Sequence, residues 1–291
     1  MADKWALILG ASSCFGAASA RALSKAGFNI FGVHLDRKAA MPRVQEVIDD
    51  CKAAGVQVHF YNKNVASDEN RIEIITHMAE VLSGAPLPLD AGESFADLKS
   101  HPAILARAAA VLQNHAGAIQ AMLHSVAFGT LNPYIHEDPK QQTSRAQMEM
   151  TLDVMANSLV YWCQDLARVN LLGKGSKVFA MTSSGSHRVI VGYGPVSAAK
   201  AALESHVRQL ALELAPRGVR VNCFEAGVTD TPSMRAIPNA DMIKQEAIKR
   251  NPGARLTTPE DIAAVFVALM SPTVQWVNGT VIKVDCGEDN I

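Results

Sequence analysis

Short strand-like runs rich in apolar residues recur along the chain at residues 5–9, 29–33, 56–61, 121–126, 178–181, 219–224 and 280–284, those at 5–9 and 178–181 being apolar throughout. Runs of this length without polar alternation suit strands buried on both faces of a parallel sheet. Stretches with helical spacing lie between them, at 16–27, 42–54, 68–82, 102–115, 144–170, 195–215 and 259–270. Pro195 and Pro259 open two of these helices, at a position where the missing proline N–H costs nothing. Pro216 and Gly218 close the helix that Pro195 begins. Residues 234–249 read as a mobile amphipathic segment. Strands alternating with helices predict an α/β fold, a doubly wound parallel sheet of about seven strands in one domain spanning residues 1–291. No internal repeat, low-complexity tract or linker interrupts it.

One crossover is longer than it needs to be. Residues 83–100 carry Gly84, Pro86, Pro88 and Gly92 and read as a loop. With the helical pattern that follows, 83–116 reads as an insertion of one helix and its loop, since long structureless loops inside a domain are uncommon. Its apolar positions Ile104, Ala108, Val111 and Leu112 are expected to cover a flank of the protomer rather than enter a crevice.

Composition narrows the classes of function. The net charge is −1 and no basic run stands out, so nucleic acid has no electrostatic footprint here. Five scattered cysteines without CxxC spacing argue against a disulfide framework or a zinc site and fit a reducing compartment. The nine histidines are dispersed, and no metal is expected. The N-terminal apolar stretch is too short for a signal peptide, and no run approaches a membrane span. A soluble cytoplasmic enzyme is the expectation.

The candidate chemistry follows the strands. Polar clusters stand at 10–16, 34–38, 64–65, 124–129, 182–193 and 226–231, each just after an apolar run, so one edge of a parallel sheet gathers them into one crevice. Gly10 to Gly16 joins a strand to a helix N-terminus, where free N–H groups and the helix dipole favour a phosphate. Asp36, 20 residues after Gly16, is placed to grip an adenosine ribose, whereas Arg37 and Lys38 suit a 2′-phosphate. Asn64 and Val65 are suited to flank an adenine. Asn157, a poor helix former among apolar neighbours, reads as either a surface residue or a working amide. Tyr193 in a loop and Lys200 inside the following helix bring a phenol and an amine together at the end of a buried strand.

These residues together resemble the short-chain dehydrogenase/reductase family over nearly the whole chain outside 83–116, and the resemblance implies a Rossmann fold. Gly10, Cys14 and Gly16 fall on the family's GxxxGxG turn, which implies phosphate contacts from Gly10, Ser12, Ser13, Phe15 and Gly16. Asp36 and Arg37 then meet the adenosine ribose, and Asn64 and Val65 the adenine. Ser125, Val126 and Ala127 follow the fourth strand along the cofactor. Gly227, Thr229 and Thr231 form the nicotinamide-amide loop. Asn157, Ser183 and Lys200 fall where the family keeps its Asn, Ser and Lys. Most members use Tyr-x3-Lys, but the residue four before Lys200 is Val196. The nearby phenol is Tyr193, giving Tyr-x6-Lys. That spacing, with His124-Ser-Val-Ala-Phe-Gly129, resembles the divergent subgroup of enoyl-acyl-carrier-protein reductases. Two departures stand out. Cys14 replaces the middle glycine, so the turn is expected to use a conformation open to a residue with a β-carbon. Ser183 stands where many of these reductases carry a second tyrosine.

The spacing has a chemical meaning. Ketone reduction places the hydride on the carbonyl carbon, next to the oxygen that is protonated. Reduction of an enoyl thioester places it on Cβ, while charge develops on an oxygen three bonds away. A phenol standing ahead of the helix, instead of one turn before the lysine, suits the more distant oxygen. The resemblance then implies that Tyr193 stabilises an enolate, that Lys200 holds the nicotinamide ribose, that Ser183 adds a donor, and that Asn157 holds a relay water. It implies an acyl thioester possibly carried on acyl carrier protein, and a homotetramer. Arg37 and Lys38 point to NADPH, with NADH as the alternative that Asp36 leaves open, and the missing second tyrosine predicts weak inhibition by diphenyl-ether phenols such as triclosan. A ketone or hydroxyl oxidoreductase of the 3-ketoacyl or hydroxysteroid type remains the alternative activity. A non-enzymatic dinucleotide sensor would not need Asn157, Ser183, Tyr193 and Lys200 together.

Overall fold

A computed structural model describes residues 4–87, 101–237 and 239–291. Seven strands make one sheet: β1 (Trp5–Leu9), β2 (Asn29–His34), β3 (Val58–Asn62), β4 (Ile119–His124), β5 (Lys177–Ser183), β6 (Arg220–Ala226) and β7 (Val281–Val284). Their order is β3-β2-β1-β4-β5-β6-β7, with every pairing parallel. Around them lie α1 (Cys14–Lys25), α2 (Met41–Lys52), α3 (Asp68–Ser83), α4 (His101–Val111), α5 (Arg145–Leu152), α6 (Ser158–Arg168), α7 (Gly194–Leu214), α8 (Pro232–Arg235), α9 (Ala240–Arg250) and α10 (Pro259–Leu269).

The strand residues alternate between two apolar layers. Leu7, Leu9, Phe31, Met122 and Val178 pack with Ile74, Leu159, Trp162, Leu203 and Val207 of α3, α6 and α7. Ala6, Ile8, Ile30, Leu123 and Phe179 pack with Leu23, Val47, Ile262 and Phe266 of α1, α2 and α10. The chain changes its direction of winding between β1 and β4, whose ends, Leu9 and His124, lie paired. A crevice opens at such a point.

Residues 88–100 of the 83–116 stretch lie outside the described residues. Its helix, α4, is more than a flank cover. Ile104, Leu105, Ala108 and Leu112 are buried in the core that holds α3 and α6, while Val111 packs at its edge. A second refinement concerns residues 144–170. The expected single helix is broken by a π-helical turn, Asp153–Asn157, between α5 and α6.

Candidate active site

The glycine turn is shaped by backbone contact. A β-carbon on Gly10, whose φ is +91°, would stand 2.2 Å from Ser125 O, and one on Gly16 would stand 2.0 Å from Gly10 O. Both must therefore lack side chains for β1, the start of α1 and the segment after β4 to meet. Ser13 is the N-cap of α1, yet its hydroxyl accepts no cap hydrogen bond. The first-turn N–H groups, which have no helical partner, remain available to an anion. Ser12 is half-buried, and Phe15 packs on the second core. Cys14 corrects the expectation for this turn. Its φ of +49° is the left-handed conformation that glycine favours, so the turn keeps its shape and the cysteine bears a strain of about 1 kcal/mol. Burial raises the Cys14 thiol pKa to about 11, against the Phe15 N–H and with help from Glu260 and Asp230. The thiol is therefore protonated and unreactive at neutral pH.

At the adenosine end, Asp36 is held firmly. Its Oδ2 lies 2.9 Å from Nδ1 of the buried His34, and its backbone N–H and carbonyl bond the Asn62 side chain at 3.0 and 2.9 Å. Arg37 and Lys38 are exposed and enter no ion pair among the described residues. The Asn64 side chain closes its own turn by accepting from the Ala66 N–H at 3.0 Å. Val65 is buried, and its carbonyl accepts from Trp162 Nε1 at 2.9 Å, which ties the end of β3 to α6.

The proton-handling residues gather after β5. Tyr193 is the N-terminal cap residue of α7, and Lys200 lies in that helix with 5% exposure. Lys200 Nζ donates to Met181 O at 2.6 Å. Burial lowers its pKa to about 8, partly offset by Cys223 and Glu204. Burial raises the pKa of the Tyr193 phenol, and the neighbouring Ser183 hydroxyl opposes it without completing a hydrogen bond, for Ser183 Oγ is buried and unpartnered. At neutral pH the phenol therefore keeps its proton, and the Lys200 amine remains largely charged. Val196, where the commoner spacing would put the phenol, packs on Met155 and against Gly129. Gly185 was not singled out from sequence. A β-carbon there would come 2.5 Å from the Tyr193 ring.

Asn157 does not join this group. Its Oδ1 pairs with His206 Nε2 at 3.1 Å, on the partly exposed side of the π turn near Tyr161. The wide turn rotates the helix faces, so Met155 points inward against Val196 and Tyr193 where the amide was expected. His124 is fully buried, with Nε2 2.8 Å from Ser158 Oγ. Because Ser158 gives its own proton to Val154 O at 2.8 Å, it accepts from His124, which assigns the proton to Nε2. Burial, with the Lys200 charge, lowers the His124 pKa to about 3.

Beyond β4, Ser125 and Val126 are half-buried and Ala127 is exposed. After β6, Thr229 is buried and donates to Gly227 O at 3.0 Å, and Thr231 Oγ1 caps α8 by accepting from the Met234 N–H at 2.9 Å. Two surface hollows meet at Asp153, one of about 440 Å³ along α5 and the π turn and one of about 690 Å³ between the start of α3 and α6. Neither is lined by Tyr193, Ser183 or Lys200, so they are not where the chemistry is read. The turn with bare backbone at Gly10 and Gly16, the uncapped α1 N-terminus and the carboxylate beyond β2 fit a dinucleotide.

Comparison with known proteins agrees with this geometry. Residues 96–288 match the family model described as Enoyl-(Acyl carrier protein) reductase. An enoyl-(acyl-carrier-protein) reductase (NADH) of Bacillus cereus is 30% identical over 179 residues, covering 60% of this chain and 67% of the relative. That of Aquifex aeolicus is 28% identical over 176 residues, covering 60% and 64%. The chain thus spans about two thirds of the length of these relatives. A short-chain dehydrogenase from Burkholderia cenocepacia, solved in complex with NADP, superposes over 98% of both chains with a TM-score of 0.72 at 22% identity.

Proposed function

The chain belongs to the enoyl-(acyl carrier protein) reductase family of short-chain dehydrogenases/reductases, and on that basis we propose that it reduces trans-2-enoyl thioesters. The observation that carries the reading is the phenol of Tyr193 at the head of α7, with Val196 filling the position one turn before Lys200. The bound nicotinamide dinucleotide supplies the hydride. Gly10, Ser12, Ser13 and Gly16 hold its phosphates, Asp36 and Arg37 its adenosine ribose, Asn64 and Val65 its adenine, and Gly227, Thr229 and Thr231 its carboxamide. Arg37 and Lys38 favour NADPH, while Asp36 keeps NADH usable. Tyr193 donates a hydrogen bond to the thioester oxygen and stabilises the enolate charge that develops there, and a proton from solvent at Cα completes the saturated product. Lys200 leaves Met181 O to hold the nicotinamide ribose, and its charge favours the ionised phenol. Ser183, whose hydroxyl has no protein partner, supplies a second donor. Asn157 takes no part.

The substrate is an acyl thioester on acyl carrier protein or coenzyme A, and the working unit is a homotetramer. No helix among the described residues is long and apolar enough to cross a membrane. One observation favours a second reading. Ser183 beside Tyr193 is also the pair that a ketone or hydroxyl oxidoreductase of this fold would use. Oxidation of NAD(P)H with a trans-2-enoyl thioester and with the matching 3-ketoacyl thioester separates the two. Faster turnover of the ketoacyl substrate overturns the enoyl reading.

A further inference from the structure

The last turn of the chain, Glu288–Asn290, reaches two neighbouring walls of the site, the turn after β6 and the loop after β5. Glu288 is 4% exposed. Its Oε2 accepts from the Val228 N–H at 3.2 Å and from Asn251 Nδ2 at 3.4 Å, and Arg250 Nη2 lies 3.8 Å from Oε1. The Val228 carbonyl accepts from the Thr257 N–H at 3.1 Å. Gly227 is pinned between the same two residues. A β-carbon there would stand 2.8 Å from Glu288 Oε2 and 2.5 Å from Thr257 Oγ1. Both polar groups of the Val228 backbone are thus engaged, which leaves the 226–231 turn one orientation.

The next residue holds the neighbouring wall. Asp289 Oδ2 accepts from His187 Nε2 at 3.0 Å and from Lys283 Nζ. Arg188 Nη2 donates to the Asp289 carbonyl at 2.6 Å. Arg188 Nε also stands 2.6 Å from Asp289 Oδ1, an ion pair in which the N–H is not aimed at the oxygen. His187 and Arg188 belong to the segment that joins Ser183 to Tyr193. Asp285 shapes the turn between, its carboxylate accepting from the Gly287 and Asp289 N–H groups at 3.0 and 2.9 Å. His187, Glu225 and Asp289 bring ligand atoms within 4.8 Å of one another, a spacing open to a cation. Lys283, 3.8 Å from Glu225 Oε1, and Arg188 already supply the positive charge, so the cluster is an ion-pair network.

We propose that Glu288 and Asp289 are positioning residues of the active site, Glu288 orienting the 226–231 turn that meets the nicotinamide amide and Asp289 the loop that carries Tyr193. The proposal rests on the oxidoreductase reading for what the two walls hold. Neighbouring carboxylates on one rigid turn fix the spacing between the walls, and such preorganisation is what precise positioning requires.

The test uses the full chain with Glu288→Ala, Glu288→Asp and Asp289→Asn. Its readouts are thermal midpoint, binary affinity for reduced cofactor by fluorescence, and amide hydrogen exchange by segment. Glu288→Ala is expected to weaken cofactor binding about tenfold or more, because the half-buried Val228 N–H loses its acceptor, and to speed exchange at residues 226–231 alone. Glu288→Asp draws the carboxylate back by one methylene and is expected to give a smaller effect of the same kind. Asp289→Asn is expected to speed exchange at residues 184–193 and lower kcat on the better thioester, with cofactor affinity unchanged. If Glu288→Ala does not fold, Glu288→Asp decides. Wild-type affinity and wild-type exchange at Val228 in that variant overturn the proposal. So does a uniform rise in exchange across the chain, which marks a purely structural role. Affinity and exchange need no acyl substrate, so failure of the enoyl reading leaves this test intact.

Discussion

A β-carbon on Gly185 would stand 2.5 Å from Tyr193 Cε1 and 3.2 Å from Ser183 Oγ, so the Tyr193 ring rests on bare backbone. The Ser197 hydroxyl donates to the Gly185 carbonyl and ties that backbone to the first turns of α7. Gly185→Ala therefore displaces the ring while leaving the glycine turn at Gly10 untouched. A misplacement of about 1 Å commonly costs about 10²-fold in rate, so kcat should fall by that order. Cofactor affinity, followed by fluorescence titration, should stay near the wild-type value. Wild-type kcat in Gly185→Ala would show that the ring is not held there.

The donor itself is tested at Tyr193. Tyr193→Phe keeps the packing against Met155 and Val196 and removes only the hydroxyl. Loss of one donor to a developing oxyanion lowers kcat by about 10²–10³. Ser183→Ala should cost less, since its hydroxyl is auxiliary on the enoyl reading. If the two variants are equally damaging on the preferred substrate, serine and tyrosine act as a ketone-reducing pair instead.

Much of this site was legible because buried parallel strands announce themselves. Trp5–Leu9 is apolar at every position because both faces are covered, and the polar residues after each strand mark one edge. The places of Tyr193 just ahead of α7 and of Lys200 within it were equally visible, since proline and glycine fix where that helix begins. What stayed hidden depends on contacts distant in sequence or on unusual backbone. Nothing local in 153–157 distinguishes a π turn from an α turn, yet it exchanges Met155 for Asn157 at the site. Cys14 looked like a departure from a left-handed turn and instead adopts it. Trp162, 97 residues from Val65, and Glu288, 60 residues from Val228, reveal their roles only when the fold brings them together.

Cofactor choice should divide between neighbours. Asp36, fixed by His34 and Asn62, is suited to ribose hydroxyls, while the exposed Arg37 is suited to a 2′-phosphate. Arg37→Ala should raise KM for NADPH and leave NADH nearly unchanged, because one charged contact is lost with one cofactor only. Asp36→Asn should affect NADH more. Equal effects of Arg37→Ala on both constants would remove the basis for an NADPH preference.

A phenolic inhibitor offers a separate check on Ser183. A diphenyl ether such as triclosan, stacked on the cofactor and bonded to Tyr193, would meet a serine where related reductases present a second aromatic ring. The lost ring contact should leave inhibition weak. Tight, cofactor-dependent binding in calorimetry would contradict this.

The pH dependence of stability follows from two buried bases. His124 titrates near 3 in the folded protein against 6.5 for an unperturbed histidine. Below pH 6.5 the unfolded chain therefore binds a proton that the folded one refuses, and stability is lost as pH falls toward 3, at up to about 1.4 kcal/mol per pH unit. Lys200 titrates near 8 against 10.5, so the unfolded chain holds the extra proton between those values and stability rises with pH across that window. Below pH 8 the burial of this charge costs its full amount, up to about 3 kcal/mol from the size of the shift. Lys200→Met should therefore raise stability at pH 7 while abolishing turnover, and it should flatten the alkaline limb. His124→Asn should flatten the acid limb, whatever its effect on absolute stability. Urea unfolding at pH 5, 7 and 9 for the three proteins reads both slopes. An alkaline limb that survives in Lys200→Met would mean that another group, and not the buried amine beside Tyr193, carries the titration.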